Sequence, residues 1–258
     1  MISAKHDSLI REDINSQKTR ALCMNKLTEM KTKIFAVEVL QLLKHDHSYK
    51  QLSKLTRLPV QVLSRYVNGH VLPNYNRSKE IIQLFTDRFL IELLKTKIRT
   101  DSAGGLAGVE IRSDPVLLDK VAKAVFQEFN FMKIGKVLTR ETGGIFLAVP
   151  IGKEFGVKVV VARKEKEMGV SEFDEVRMFD ESGKYSYLYI PANSIKKREN
   201  ILIVDDFVRS GKSVEALMHL CERRGAVVSG VFALASAKTP EPKMKRRVKG
   251  PILFYMKL

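Results

Sequence analysis

Long apolar runs are missing from this 258-residue chain. No stretch reaches the roughly 18–20 consecutive apolar residues that a membrane-spanning helix needs, so none is expected. Cysteine is almost absent. Cys23 and Cys221 stand alone and far apart, which argues against a disulfide framework and against thiolate metal or redox work. Histidine is scarce as well. His45, His47 and His70 suit no zinc pattern, so they read as loop residues and no metal site built by the protein is expected. Residues 1–15 are mixed and polar, without the apolar centre of a secretory signal, and a cytoplasmic protein is expected. No segment recurs at a fixed period.

Acidic residues are the minority charge: 29 Asp and Glu against 45 Lys and Arg, a formal +16. Residues 1–100 hold 18 basic and 9 acidic residues, residues 101–237 hold 20 and 19, and residues 238–258 hold 7 and 1. A basic head and tail thus flank a nearly neutral body, the footprint of a polyanion-binding head on a balanced globular domain. The 45% hydrophobic content is enough for two modest domains, each with its own core.

Residues 1–30 are polar and weakly patterned. From Thr32, the apolar residues Ile34, Phe35, Val37, Val39, Leu40, Leu42 and Leu43 predict a buried helix ending near Lys44. Ser48 reads as the N-cap of a short helix over 49–56. The link Arg57-Leu58-Pro59 leads to a second short helix over 60–68, which Pro59 starts and Gly69 stops. A long amphipathic helix follows over 78–98, its apolar stripe read as core or dimer seam. The glycines Gly104, Gly105 and Gly108 mark a hinge near 100–107.

Beyond the hinge, helices alternate with β-rich runs. Asp114-Pro115 opens a helix to 129, 144–155 and 213–224 are helical, and 136–139, 157–162, 200–204, 227–235 and 252–256 are strands. Residues 175–179 and 185–190 flank Asp180-Glu181-Ser182-Gly183 as a hairpin. Solidly apolar strands alternating with helices imply a parallel sheet covered on both faces. The run at 243–249 reads as a solvated basic loop.

The sharpest local pattern begins at Ile201-Leu202-Ile203-Val204, a buried strand, with Asp205 and Asp206 at its carboxyl end, where open α/β sheets place ligands. Phe207, Val208, Arg209, Ser210, Gly211, Lys212 and Ser213 then lead into a helix, whose free N–H groups and partial positive charge suit a phosphate. Gly211 permits close backbone approach, Ser210 and Ser213 add hydroxyl donors, and the paired carboxylates suit a ribose diol.

This segment resembles the PRPP-binding motif of type I phosphoribosyltransferases, and the resemblance extends in order over about 105–235. Thr139, Arg140, Glu141, Thr142, Gly143 and Gly144 fall where that family has its pyrophosphate loop. Residues 159–164 resemble its next strand, ending in the basic pair Arg163 and Lys164. The resemblance implies that Asp205 and Asp206 hold ribose hydroxyls, that 208–213 cradle the 5′-phosphate, and that Arg140, Glu141, Thr142, Gly143, Arg163 and Lys164 line the pyrophosphate side, with Mg2+ compatible with bound PRPP. Serines stand where threonines are common, and no base-recognising hood is evident, so ligand binding is better supported than transferase chemistry.

Residues 49–73 resemble the lambda-repressor type of helix-turn-helix, although Arg57-Leu58-Pro59 departs from the usual turn. The resemblance implies contacts to bases from Gln61, Ser64 and Arg65, and to phosphates from Lys50, Gln51, Lys54 and Asn68. The expected fold is therefore α/β, a parallel-sheet type I phosphoribosyltransferase fold preceded by an all-α helix-turn-helix domain: residues 1–77 helical and DNA-binding, 78–104 linker helix and hinge, 105–258 ligand-binding. The combination resembles the purine repressors of Gram-positive bacteria and archaeal regulators of sugar catabolism. It implies a homodimeric transcription regulator, not an enzyme, whose affinity for double-stranded DNA responds to PRPP or a purine nucleotide. The alternative is an active purine or orotate phosphoribosyltransferase with an added nucleic-acid-binding domain; a third reading is RNA binding.

Overall fold

The computed structural model describes residues 26–100, 106–107, 109–179, 185–237 and 242–257. The chain divides into two compact units, Met1–Phe89 with Asn130–Met132, and Leu90–Phe129 with Lys133–Leu258.

The first unit is helical. Helix α1 (Lys26–Asp46) begins earlier than its apolar pattern announces and takes in His45, which is helical instead of lying in a loop. Its buried face is Phe35, Ala36, Val39, Leu40 and Leu43. Helix α2 (Tyr49–Thr56) starts on a capping box: the Ser48 hydroxyl accepts from the Gln51 amide, and the Gln51 side chain accepts from the Ser48 amide at 2.8 Å. Arg57 takes a left-handed conformation at φ 56°, and helix α3 (Val60–Val67) follows behind Pro59. Leu52, Leu58 and Leu63 are buried, so both short helices and their link contribute to one core.

The expected helix at 78–98 starts instead at Tyr75, because the Asn74 side chain caps it by accepting from the Arg77 amide at 2.9 Å. It runs as α4 (Tyr75–Leu84), a π-helical turn (Phe85–Leu90) and α5 (Ile91–Lys97). The π turn inserts a residue that a regular 3.6-residue period does not reveal. Ile81, Ile82, Phe85, Leu90 and Leu94 are buried within the single chain. At these positions the core reading of the stripe holds.

In the second unit, β1 (Arg99–Thr100) and β2 (Leu106–Ala107) form a small antiparallel ladder across the expected hinge; Gly104, Gly105 and Gly108 lie outside the described residues. Then come α6 (Val109–Arg112), α7 (Pro115–Phe129), β3 (Lys136–Arg140), α8 (Gly143–Phe155), β4 (Lys158–Ala162), the hairpin β5 (Phe173–Phe179) and β6 (Tyr185–Pro191), β7 (Asn200–Val208), α9 (Lys212–Arg223), β8 (Val227–Ser236), α10 (Pro242–Arg247) and β9 (Ile252–Lys257). Five strands form a sheet in the order β4-β3-β7-β8-β9, each neighbouring pair parallel. Helix α9 and the inner face of the hairpin bury one side, with Leu138, Ile201, Ile203, Val214, Leu217 and Leu188 in one cluster. Helix α8 packs on β3 and β7 and against α7.

Two expectations change here. The central strand runs through to Val208, not Val204, because β8 continues beside it with Asp205 opposite Ala233 and Val208 opposite Ser236. The basic run near 243–249 contains the helix α10, where Arg247 donates to both carboxylate oxygens of Glu222, at 2.6 and 2.9 Å; it is not merely a solvated loop. Cys221 is buried and its thiol is pushed up to about 12 by desolvation, in keeping with a core filler. Among the described residues, no helix is long and apolar enough to cross a membrane.

Candidate functional site

The site is set by sheet register. Parallel pairing puts Thr139 of β3 opposite Val204 of β7, so the next residue of each strand brings Arg140 beside Asp205. The Arg140 Nε lies 3.6 Å from Asp205 Oδ2. Successive strand residues point to opposite faces, and Asp206 meets a different cation: Arg112, at the end of α6, donates from Nη2 to Asp206 Oδ2 at 2.6 Å. The residual exposure is 2% for Asp205 and 7% for Asp206, so both carboxylates are almost wholly withdrawn from water.

Backbone amides hold the inner oxygens. Asp206 N donates to Asp205 Oδ1 at 3.0 Å, and Phe207 N donates to Asp206 Oδ1 at 2.9 Å. Desolvation raises the Asp205 carboxyl to about 7; the Arg140 charge opposes this and the neighbouring Asp206 adds to it. Asp205 Oδ2, Arg140 Nε and Arg112 Nε are buried without a hydrogen-bond partner. Unpartnered buried polar atoms are costly, and three of them gathered around paired acids mark a site built for a polar guest.

Two loops flank the acids. On one side Phe207 and Val208 complete the strand and are buried, while Arg209 is exposed and Ser210, Gly211, Lys212 and Ser213 are half-buried. Gly211 is the N-cap of α9 at φ +81°, a conformation in which a Cβ is strained. On the other side the Glu141–Thr142 peptide is cis, and Thr142 is the N-cap of α8. Gly143 opens that helix against the acids: a Cβ there would overlap Asp206 Oδ2 and lie 2.9 Å from Arg112 Nη2. Glu141 Oε1 accepts from the Lys164 amide at 2.7 Å, while Arg163 Nη1 lies 4.0 Å from Glu141 Oε2 and its Nε 3.5 Å from Glu167 Oε2. A pocket of about 510 Å³ opens there, lined by Glu141, Arg163 and residues 164–168.

The structure thus gathers Asp205, Asp206, Arg140 and Gly143, and pairs Glu141 with the 163–164 segment. Sequence reasoning missed Arg112. It lies far from every motif and carries no local signal; only the fold brings it to Asp206. In the helical unit, Lys50, Gln51, Lys54, Gln61, Arg65 and Asn68 are exposed and Ser64 is half-buried. The Gln51 amide is engaged in the cap of α2, and Asn68 Nδ2 donates to Ser64 Oγ at 3.2 Å.

Residues 110–252 match the family model described as the phosphoribosyl transferase domain. A xanthine phosphoribosyltransferase of Bacillus cytotoxicus is 35% identical over 144 residues, covering 53% of this chain and 71% of that protein. The xanthine phosphoribosyltransferase of Finegoldia magna is 32% identical over 124 residues, 47% of this chain and 65% of that one. Among solved structures, adenine phosphoribosyltransferase from Thermoanaerobacter pseudethanolicus superposes with a TM-score of 0.58 at 19% identity, over 65% of this chain and 99% of that one. At such identity the likeness shows the fold alone.

These findings correct the functional expectation. The relatives are named as enzymes, so the reading of a DNA-binding transcription regulator, of a non-enzymatic sensor and of double-stranded DNA as partner is overturned. With DNA goes the argument from paired half-sites for a homodimer. Apart from Asn130–Met132, the family match lies within the sheet unit.

Proposed function

This chain belongs to the phosphoribosyltransferase family, and from that premise we propose that it transfers the 5-phosphoribosyl group of PRPP to a purine base, with xanthine the first base to test. We assign the activity to residues 105–258, preceded by a helical domain over 1–77 and a linker over 78–104. PRPP and free bases are cytoplasmic metabolites, and that is where we place its work. The observation that carries the reading is the buried acid pair Asp205 and Asp206 at the carboxyl edge of the central strand, with one buried carboxylate oxygen that faces Arg140 but has no hydrogen-bond partner.

In this reading the ribose hydroxyls donate to Asp205 and Asp206, which fixes the anomeric carbon. The amides and hydroxyls of 208–213, at the N-terminus of α9, receive the 5′-phosphate. Arg140, Thr142, Gly143, Arg163 and Lys164 face the pyrophosphate, and Glu141 orients the last two. A purine nitrogen forms its bond to the anomeric carbon as the bond to pyrophosphate breaks. The bonding pair leaves with pyrophosphate, and the proton on the purine nitrogen passes to solvent. Holding both reactants in line is the main service of such a site. Among the described residues no group of three His, Cys, Asp or Glu stands ready for a metal. Mg2+ bound with PRPP would be held by Asp205 and Asp206 and would neutralise charge on the leaving pyrophosphate.

Steady-state assays with PRPP and Mg2+ against xanthine, hypoxanthine, guanine, adenine and orotate test this, read as nucleotide formed and pyrophosphate released. Turnover with a purine on the order of 1 per second or faster supports the proposal. Absence of turnover with every purine overturns it.

A further inference from the structure

We propose that Arg112 is a positioning residue for the phosphoribosyl group: it fixes Asp206 so that this carboxylate presents its remaining lone pairs to the ribose hydroxyls. The inference rests on the transferase reading above and adds a residue to it. The contact spans 94 residues of sequence, from α6 to the central strand.

Arg112 projects from an anchored segment. Its neighbour Ile111 is buried, and the Asp114 amide donates to Ile111 O at 3.1 Å. The Asp114 carboxylate then accepts from the Leu117 amide at 2.9 Å and lies 3.1 Å from Lys97 Nζ. The arginine is therefore held from both sides of the turn that carries it. Its guanidinium, the Asp206 carboxylate and the backbone at Gly143 meet with no room for a methyl group between them. One guanidinium thus joins α6 to β7 where the start of α8 comes close.

A plug that a ligand must expel would make the same contact, but lone-pair accounting decides against that. An ionised carboxylate has about four acceptor sites. The Phe207 amide takes one on Oδ1 and Arg112 takes one on Oδ2. The others remain for hydroxyls, so Arg112 need not leave when a ribose binds. Its own Nε is buried and unpartnered, which leaves a further donor for a ligand oxygen or a bridging water.

The test is calorimetric titration of PRPP with Mg2+ into the full-length protein and its Arg112→Ala, Arg112→Lys and Arg112→Gln variants, with KM for PRPP and for the purine measured alongside. Loss of a partner that orients a ligating group weakens binding by about 10-fold to 100-fold. That change is expected in the Kd and KM for PRPP in Arg112→Ala, with the purine KM moving less than about 2-fold and Arg112→Lys recovering part of the loss. Should the alanine variant fail to fold, Arg112→Gln, which keeps donors without charge, is judged by the same criteria. Unchanged PRPP affinity overturns the inference, as does an equal loss for purine. Tighter PRPP binding also overturns it and makes Arg112 a plug. Native protein that binds no PRPP sinks the transferase reading itself, a result separate from any variant.

Discussion

The helical unit and the sheet unit satisfy their polar groups in different ways. In the first, side chains bond close to home: Ser48 with Gln51, Thr56 with Leu52 O, Asn74 with the Arg77 amide and Thr86 with Ile82 O. Gln41, which donates to Val67 O, reaches further. The sheet unit adds long ties to its local ones: Arg112 to Asp206, Lys136 to Glu199, and Arg224 to Asp174. The buried polar atoms left without partners among the described residues also belong to the sheet unit. Local bonds can be closed by the sequence immediately around them. Long ones depend on the assembled fold, and three of the open atoms, on Asp205, Arg140 and Arg112, surround the acid pair.

Core truncation should give the largest effect if the sheet unit depends on distant packing. Phe129 of α7 is fully buried against Gly230 of β8, and Phe129→Ala is expected to cost about 3–5 kcal/mol in urea denaturation. A cost below about 1 kcal/mol would break the contrast. Next is Gly143→Ala, whose methyl group would overlap Asp206. Small displacements in such a site cost on the order of 100-fold, so PRPP affinity by calorimetry should fall by that much, beside an overpacking cost of about 1–3 kcal/mol in urea denaturation.

A pH effect comes third. Burial raises the Asp205 carboxyl from 3.8 to about 7. Between those values the folded state keeps a proton that the unfolded chain has released, so this residue's contribution to stability is greatest below the lower value and falls as pH rises through the upper one. Urea midpoints collected from pH about 4 to about 8 should show that decline superimposed on the other titrations, and Asp205→Asn should flatten it. An unaltered slope in the variant removes Asp205 as its source. The smallest effect tests the local side of the comparison. Ser48→Ala removes one cap of α2 and is expected to cost about 1 kcal/mol, with no change in PRPP affinity.

Much of the fold was legible because its signals are local or periodic. The apolar run before Asp205, the glycine after Ser210 and the proline at 115 each place an element boundary through backbone chemistry. The π turn at Phe85–Leu90 was not legible, since an inserted residue leaves the surrounding apolar spacing nearly intact. The full length of β7 was hidden for another reason. Asp205 and Asp206 look like the end of a buried strand, and only the neighbouring β8 supplies the ladder that carries it on to Val208. Function was less legible: the helix-turn-helix likeness of the head and the lack of an evident base-recognising hood point to a regulator, whereas the relatives are named as enzymes.

By itself the sequence determined the alternation of elements, the paired acids and the glycine-bearing turn that follows them, because each rests on residues adjacent in the chain. Tertiary structure alone decided that Arg140 stands beside Asp205, that Arg112 grips Asp206 and that Gly143 closes against both. Those relations come from strand register and helix docking, which join residues that share no local pattern.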